Sequence, residues 1–223
     1  MGLAYTVVTS SIKGLTRLLC NVDDGQLIKV PGKGPLIVAC NHINFMDAPL
    51  LYTHLQPRHV TGFAKAETWD NPALGFLFDL WGAIPLQRGE VDTKAFRLGL
   101  EALQQGKILG VAPEGTRSRH GKLGYGLPGI VTLAYHSKAP ILPLVFYGVE
   151  QLSSNLKELK RTDFHIRVGR LFTLIFPQGK MDRELRKLMV DEIMYQIASL
   201  LPEENRGYYS DLTKQSTNYL NFV

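Results

Sequence analysis

The sequence predicts an α/β domain with a mostly parallel or mixed central sheet flanked by helices, preceded by an amphipathic N-terminal helix. From residue 26 onward, short apolar runs rich in β-branched residues alternate with longer segments of helical periodicity. No internal repeat, low-complexity segment or linker interrupts this alternation, which favours one domain. We therefore predict an N-terminal helix over residues 1–22, a main domain over 23–202, and a weakly patterned, loosely docked C-terminal extension over 203–223.

The N-terminal helix has an apolar side and a polar side without acidic residues. Such a helix can lie in the headgroup region of a membrane with its cations near lipid phosphates, or it can cover the core of the domain. The pattern alone leaves both interpretations open. The apolar side carries Tyr5, Val7, Val8, Ile12, Leu15, Leu18 and Leu19, and the polar side carries Thr6, Thr9, Ser10, Lys13 and Arg17.

Strands and helices then alternate along the main domain. Asp92 is a typical N-cap residue and Gly106 a typical helix stop, so together they bound one of the helices. Strands are predicted over residues 26–30, 35–40, 59–64, 83–86, 107–112, 140–147 and 164–175, and helices over 46–55, 72–80, 92–105, 127–137 and 181–200.

Composition excludes several classes of protein. With 45% hydrophobic and 20% charged residues, the chain is neither disordered nor collagen-like. It has two cysteines, Cys20 and Cys40, and no secretory signal pattern, so we expect an intracellular, reduced protein. Apolar runs such as residues 36–40 are far shorter than the ~20 residues that cross a bilayer, and no transmembrane helix is predicted.

The net charge of +5 is concentrated in one segment. Residues 157–187 contain nine Lys and Arg against four Asp and Glu. A basic balance suits nucleic acid, an anionic membrane surface or a phosphate-bearing substrate, and charge alone does not choose among them. Nucleic-acid binding requires exposed aromatic residues among the cations, whereas Phe164, Phe172 and Phe176 follow the pattern of a buried strand.

The first candidate for chemistry follows the predicted strand at residues 35–40. This strand delivers His42 and Asp47 into the turn before the next helix, and α/β folds place their sites at the carboxyl ends of strands. Across such a turn the Asp47 carboxylate can accept Nδ1–H of His42, which leaves Nε2 as a general base for a hydroxyl. A His and an Asp at a strand end also form capping arrangements, and the pair alone does not decide between a catalytic and a structural role.

No nucleophile in a recognisable setting accompanies this pair. The sequence has no Gly-x-Ser-x-Gly elbow, and Cys40 lies within a buried strand, where a thiol is normally inert. This favours direct attack by an activated hydroxyl over a covalent enzyme intermediate.

The second candidate is the loop at residues 113–122. Its Pro and Gly residues indicate a turn that exposes peptide N–H groups, and Thr116 and Arg117 add a hydroxyl and a guanidinium. These groups suit a phosphate monoester, although a solvated basic loop has the same composition. Lys65 and Arg88 follow two other predicted strands and could serve an oxyanion and a phosphate, or remain surface charges.

Four sequence blocks occur in a fixed order between residues 41 and 144. In that order and spacing they resemble the four blocks of the glycerolipid acyltransferase family, and within it the bacterial 1-acyl-sn-glycerol-3-phosphate acyltransferases. The blocks are Asn41-His42 with Asp47, Gly82 to Arg88, Glu114-Gly115-Thr116-Arg117, and Ala139-Pro140-Ile141-Leu142-Pro143-Leu144.

The resemblance implies a role for each block. His42 would be the general base and Asp47 the residue that orients it. Lys65 and the backbone amides near Gly82 would stabilise the oxyanion, and Pro143 would shape the site or the acyl pocket. The acceptor-binding group would comprise Arg88, Glu114, Gly115, Thr116 and Arg117.

The implied reaction transfers an acyl group from acyl-CoA or acyl carrier protein to the free hydroxyl of lysophosphatidic acid (1-acyl-sn-glycerol-3-phosphate). It needs no metal or prosthetic group, and the sequence shows neither zinc-ligand spacing nor a P-loop. A site for lipid in a chain without a membrane span implies a peripheral enzyme that meets an anionic membrane surface on the cytoplasmic face. The N-terminal helix is then expected to be interfacial.

Two alternatives remain at this point. A related acyltransferase could act on another lipid hydroxyl, such as that of a lyso-ornithine lipid or another lysophospholipid. A different class of protein, a non-catalytic membrane-surface binding module, could use the basic segment at residues 157–187 without any acyl transfer.

Overall fold

A mixed β-sheet with helices on both faces forms the centre of the protein in the computed structural model, which describes residues 2–87, 92–118, 120–179 and 181–223. The helices are α1 (Leu3–Leu19), α2 (Asp47–His54), α3 (Pro72–Leu80), α4 (Thr93–Gln104), α5 (Gly129–Ser137), α6 (Leu152–Lys157) and α7 (Arg183–Ala198). The strands are β1 (Cys20–Asp23), β2 (Leu36–Cys40), β3 (Val60–Lys65), β4 (Ile84–Leu86), β5 (Ile108–Val111), β6 (Ile141–Tyr147), β7 (Thr162–Val168), β8 (Phe172–Leu174) and β9 (Leu220–Phe222).

The strand order is β1-β7-β6-β2-β5-β3-β4, with β8 and β9 continuing antiparallel from β6. From β6 to β4 every neighbouring pair is parallel, while β7 and β8 run antiparallel to β6. The predicted mixed sheet is therefore confirmed. Because β2, β5 and β3 run in the same direction, their carboxyl ends meet at one edge, where the two candidate motifs begin.

The β2 strand lies at the centre of the core. Its side chains alternate between the layers, so that Val38 and Cys40 face α1 and α2 while Ile37 and Ala39 face α5 and α7. All five residues of β2 are buried, as expected for a parallel strand covered on both faces. This double burial explains the uninterrupted apolar run that identified the strand in the sequence.

The predicted helices and most predicted strands are confirmed within a few residues. Asp92 caps α4 by accepting a hydrogen bond from the Ala95 N–H, and Gly106 follows the helix with a φ of +72°. The strand predicted at residues 26–30 is wrong, because Gly25–Lys29 forms a 3₁₀ helix with Ile28 fully exposed. Short elements that the pattern did not predict are β1, α6 and β9.

Pro143 divides the strand predicted at residues 164–175 into β7 and β8. Leu144 pairs with Val168 and Ile141 with Phe172. Between these pairs, two residues of β6 therefore lie opposite three residues, 169–171, of the segment that joins β7 to β8. Proline has no N–H to donate to the ladder, and an extra residue opposite it forms a bulge. The break in pairing lies where this donor is missing.

The helix predicted at the N-terminus is α1, but its buried side differs from the predicted one. Thr9, assigned to the polar side, is buried and accepts a hydrogen bond of 3.2 Å from the Trp81 indole N–H. Tyr5 is also buried and bonds to Gln56. The apolar residues exposed to solvent on α1 are Leu3, Val7, Leu15 and Leu18.

The loose docking expected for residues 203–223 is wrong. Tyr209 and Leu220 are buried in the core, and β9 adds to the sheet next to β8. Glu192 of α7 is buried and accepts hydrogen bonds from the Asn218 N–H and the Tyr219 N–H. None of the helices in the described ranges has the length and hydropathy needed to cross a bilayer.

Candidate active site

His42 and Asp47 come together at the carboxyl end of β2, as the sequence predicted. His42 Nδ1 lies 2.7 Å from Asp47 Oδ2, and the same oxygen accepts hydrogen bonds from the Ile43 N–H (2.7 Å) and the Asn44 N–H (3.0 Å). Two backbone donors keep the carboxylate an acceptor, so Nδ1 carries the hydrogen and Nε2 has a free lone pair. Asp47 Oδ1 is buried and accepts no hydrogen bond from the described residues.

Asn41 fixes the strand end that carries His42. Its buried amide donates to the Phe146 carbonyl (2.8 Å) and accepts from the Phe146 N–H (2.9 Å), which joins β2 to β6 beyond the last regular pair. Sequence reasoning quoted Asn41 in a motif without giving it a role. The sequence did contain a signal for this role: Asn41 is a polar residue that directly continues a buried strand. A buried polar side chain needs specific hydrogen-bond partners.

Glu114 connects the two candidate motifs. Its Oε1 accepts from the His42 N–H at 2.9 Å and its Oε2 from the Gly124 N–H at 2.7 Å. Burial raises the pKa of the Glu114 carboxyl, and these two N–H donors act in the opposite direction. The carboxylate that the resemblance placed in the acceptor group thus holds backbone, rather than projecting toward a ligand.

The loop after β5 turns sharply at Gly115, whose φ is +67°. A Cβ at this position would lie 2.7 Å from Leu127 Cδ1, the end of a flexible and exposed side chain, so it is the positive φ that favours glycine here. Thr116 and Arg117 are exposed on this turn, and the Ser118 N–H donates to the His42 carbonyl at 2.8 Å. The turn therefore presents a hydroxyl and a guanidinium beside the His42 backbone.

An apolar cavity of about 290 Å³ is lined in part by His42 and Asp47. It extends between α2 and the sheet and on toward α4 and α5, and this size is near the lower end of ~300–1,000 Å³ for ligand pockets. Gly110 lets Leu51 of α2 pack directly on the sheet beside this cavity, since a Cβ on Gly110 would lie 2.3 Å from Leu51 Cδ2. The apolar side chains lining it include Leu51, Tyr52, Phe63, Phe78, Leu86, Phe96, Ile130 and Leu133.

Cys40 lines this cavity without the character of a nucleophile. Burial raises the pKa of its thiol far above the ordinary range, with Asp47 and Glu114 adding to the effect. Its Sγ lies 3.7 Å from the Val111 carbonyl. A thiol that stays protonated is a packing group, which agrees with the expectation of no covalent intermediate.

Two residues expected at the oxyanion are engaged elsewhere in the structure. Lys65 is exposed and its Nζ pairs with Glu67 at 3.0 Å. The N–H groups of Gly82 and Ala83 donate to the carbonyls of Asp79 and Phe78, so these amides are already used within their turn. The oxyanion role expected of Lys65 and of the backbone amides near Gly82 stays a prediction.

Two expected substrate-binding residues lie away from the site or outside the described residues. Pro143 is buried within β6 and is not among the residues that line the cavity, and its expected role in shaping the site or the acyl pocket stays a prediction. Arg88 lies outside the described residues. Among the described residues, no group of three or more His, Cys, Asp and Glu side chains is arranged to hold a metal ion.

The basic segment at residues 157–187 does not form one free surface. Arg161 donates to the Cys20 carbonyl at 2.7 Å, Arg167 pairs with Asp23 at 2.7 Å, and Arg170 lies over the Phe222 ring. These three cations bind the fold together. The prediction of a membrane contact in this segment now depends on its other cations, and of those that the structure describes, Lys157, Lys160, Arg183 and Lys187 are exposed.

The model of the acyltransferase family matches residues 21–147, more than half of the chain. The chain belongs to the acyltransferase family. The match covers β1 to β6, and with them His42, Asp47 and the Gly115 turn. The resemblance drawn from the four sequence blocks is thus confirmed, and the protein is an acyltransferase.

Curated relatives of this acyltransferase include bacterial and plant proteins. The 1-acyl-sn-glycerol-3-phosphate acyltransferase of Bacillus subtilis is 25% identical over 195 residues, which cover 86% of this chain and 83% of the relative. The protein of the same name from Limnanthes douglasii is 34% identical over 132 residues, covering 56% of this chain and 46% of the relative.

A solved structure shares the fold of this acyltransferase. The crystal structure of the 1-acyl-sn-glycerophosphate acyltransferase PlsC from Thermotoga maritima aligns with a TM-score of 0.59 at 21% identity. The alignment covers 85% of this chain and 78% of that one. The likeness confirms the predicted α/β architecture.

Proposed function

We propose that this acyltransferase transfers a fatty acyl group from acyl-CoA or acyl carrier protein to the free hydroxyl of lysophosphatidic acid, giving phosphatidic acid. The observation that carries the proposal is the 2.7 Å contact between His42 and Asp47, which both line an apolar cavity. A general base in the wall of an apolar cavity suits acyl transfer, and the names of the relatives supply the proposed acceptor.

His42 acts as the general base in the proposed mechanism. Asp47 accepts Nδ1–H and stabilises the imidazolium, so Nε2 removes the proton from the acceptor hydroxyl as its oxygen attacks the thioester carbonyl. The tetrahedral intermediate collapses, the carbon–sulfur bond breaks, and the thiolate takes the proton from the imidazolium. One carbon–oxygen bond replaces one carbon–sulfur bond, and the proton passes from the hydroxyl to the thiolate through His42. The scheme uses no covalent enzyme intermediate, metal or prosthetic group.

The acyl chain of the donor occupies the apolar cavity in this proposal. Its lining from α2, α4 and α5 would remove hydrocarbon from water, and the thioester carbonyl would stop beside His42 and Asp47, which also line the cavity. Lys65 serves the oxyanion only if its exposed ion pair with Glu67 opens.

The acceptor phosphate binds at the Gly115 turn in this proposal. Arg117 and Thr116 are exposed there, and guanidinium groups form paired hydrogen bonds with phosphate. Arg88 is proposed as a second cation for the same phosphate. Hydrogen bonds of Ser118 and Glu114 join the turn to the His42 backbone, which supports binding of the phosphate close to the base.

Membrane association through α1 completes the proposal. Leu18 is 70% and Leu3 82% exposed on a helix whose other side packs against the domain, an arrangement typical of an interfacial helix. Lys13 and Arg17 lie beside the exposed leucines on the same helix, and we propose that they approach lipid phosphates, for which Arg17 would have to leave its ion pair with Asp24. Because acyl-CoA and acyl carrier protein are cytoplasmic donors, we place the enzyme peripherally on the cytoplasmic face of the membrane.

The test is an acyl-transfer assay with purified protein and vesicles containing lysophosphatidic acid, using acyl-CoA and acyl carrier protein donors in parallel. We expect phosphatidic acid to form with the wild type and not with His42→Ala. Unchanged transfer by His42→Ala would reject the mechanism, and binding of vesicles without any transfer would identify a non-catalytic module.

Acceptor choice is tested with Arg117→Ala. If the acceptor is phosphate-bearing, this variant raises KM for lysophosphatidic acid while kcat changes little. Faster transfer to a lyso-ornithine lipid or another lysophospholipid than to lysophosphatidic acid would replace the proposed acceptor.

A further inference from the structure

The C-terminal tail lies against the loop that carries Glu114 and the Gly115 turn. The Leu123 N–H donates to the Asn205 carbonyl, and the Tyr208 N–H donates to the Leu123 carbonyl, both at 2.9 Å. Asn205 Nδ2 donates to the Gly121 carbonyl at 2.9 Å. Backbone and side-chain hydrogen bonds thus join the tail, which here forms two short 3₁₀ helices, to the loop.

Tyr209 adds a fourth contact at the other side of the loop. Its hydroxyl accepts from the Gly126 N–H at 3.1 Å and donates to Asp191 Oδ1 at 2.6 Å. The ring is buried and packs against Tyr195 and Tyr208. One hydroxyl therefore links the loop to α7, a rigid element of the core.

The approach of the tail is close enough to require glycine. A Cβ on Gly207 would lie 2.2 Å from the Leu123 carbonyl oxygen, and Gly207 has a φ of +50°. Neither the space nor the conformation suits another residue. This contact, like the hydrogen bonds, joins the tail to the middle of the loop.

Hydrogen bonds also connect this loop to His42, the proposed general base. Gly124 lies between Leu123 and Gly126, and its N–H donates to Glu114 Oε2, whose partner oxygen accepts from the His42 N–H. Glu114 in turn precedes the Gly115 turn. The position of the loop at residues 121–126 therefore determines how Glu114 is held between the turn and the His42 backbone.

We propose that residues 205–209 are a positioning element of the active site, and that Tyr209 in particular holds the loop in the conformation that binds the acceptor. The family model matches residues 21–147 only, so this element lies outside the part of the chain that defines the family. The role in acceptor binding rests on the proposed function, whereas the role in holding the loop does not.

The first test measures the loop itself. Tyr209→Phe keeps the buried ring and removes the hydroxyl, so hydrogen–deuterium exchange at residues 121–126 should become at least about fivefold faster, the ratio expected for one lost hydrogen bond. The matched control is Tyr219→Phe, a substitution in the same tail whose hydroxyl makes no hydrogen bond to the described residues. Equal exchange in the wild type, Tyr209→Phe and Tyr219→Phe would overturn the proposal, whether or not the enzyme acylates lysophosphatidic acid.

The second test separates positioning from general stability. Tyr209→Phe should raise KM for lysophosphatidic acid about fivefold while KM for the acyl donor and kcat stay within about twofold. Asn205→Ala should also raise KM for lysophosphatidic acid. Proportional loss of kcat with both KM values unchanged would indicate only a smaller folded fraction, and would contradict a positioning role.

Discussion

Asp47 Oδ2 accepts three hydrogen bonds, from the His42 ring and from the N–H groups of Ile43 and Asn44. The two backbone donors fix the position of the carboxylate independently of the imidazole. The ring orientation therefore depends on the turn between β2 and α2, and the negative charge of Asp47 faces the imidazolium that forms during proton transfer.

We expect Asp47→Asn to lower kcat by ~10²–10⁴, because an uncharged amide does not stabilise the imidazolium. KM for either substrate should change much less, and steady-state kinetics of acyl transfer measure both. Asp163→Asn, an exposed position bonded to Asn21, is the control. A variant that kept more than about a tenth of the wild-type kcat would show that the pair is not a catalytic unit.

His54 is a buried histidine that the mechanism does not use. Burial lowers its pKa to about 4, and the charges that act on it include Lys13, Arg17 and Asp24. Below pH 6.5 the unfolded chain takes up a proton at His54 that the folded chain takes up only near pH 4. The resulting stability is complete above pH 6.5 and is lost as the pH falls toward 4.

We expect the free energy of unfolding to fall from pH 6.5 to 4.5 with a contribution from His54 of up to ~1.4 kcal/mol per pH unit. His54→Leu should reduce this slope, which urea unfolding at several pH values measures. If the slope were the same in both proteins, another group would be responsible for the acid sensitivity.

At the scale of elements, helix α1 faces the domain with Tyr5 and Thr9 and leaves Leu15 and Leu18 exposed. Deleting the helix would uncover Trp81, whose indole donates to Thr9, so truncation would test packing and membrane binding together. Substitution of the exposed leucines separates these two effects.

We expect Leu15→Asp with Leu18→Asp to weaken binding to vesicles at least about tenfold, since burying each leucine is worth roughly 1.5–3 kcal/mol. Co-sedimentation with vesicles containing anionic lipid measures the change. Leu188→Asp is the control, because Leu188 is equally exposed on α7, on the other face of the sheet. Equal vesicle binding by the wild type, the double variant and Leu188→Asp would assign the membrane contact to another surface.

The elements also show what the sequence could predict and what it could not. Buried parallel strands such as β2 and well-capped helices such as α4 carry their own local signals, apolar runs and an Asp cap. The break between β7 and β8 depends on Pro143, which belongs to a neighbouring strand. Strand β9 is only three residues long and pairs across 48 residues of sequence with β8, so no local pattern marks it.

At the scale of the whole molecule, the candidate site joins groups from distant parts of the chain. His42, Asp47 and the Gly115 turn were predictable because strand ends gather at one edge of a parallel sheet. The cavity was not, since its lining comes from helices and strands far apart in the sequence. The same holds for the C-terminal tail, whose contacts with the loop are long-range backbone hydrogen bonds.

The cavity predicts chain-length selectivity. Phe96 of α4 lines it, so Phe96→Ala should enlarge it and shift the preferred acyl donor toward longer chains, with a loss of stability of up to ~3 kcal/mol. Competition between donors of different length measures the preference. Phe176→Ala, a partly buried residue that packs on the same core without lining the cavity, is the control. An unchanged preference would mean that the acyl chain does not reach Phe96.

The exposed leucines of α1 also affect the protein before it meets a bilayer. In water they form an uncovered apolar stripe, and surfaces of that kind associate with whatever apolar surface is available, including the same stripe on a second molecule. Protein purified without lipid or detergent should therefore self-associate as its concentration rises, and added vesicles should return it to single molecules.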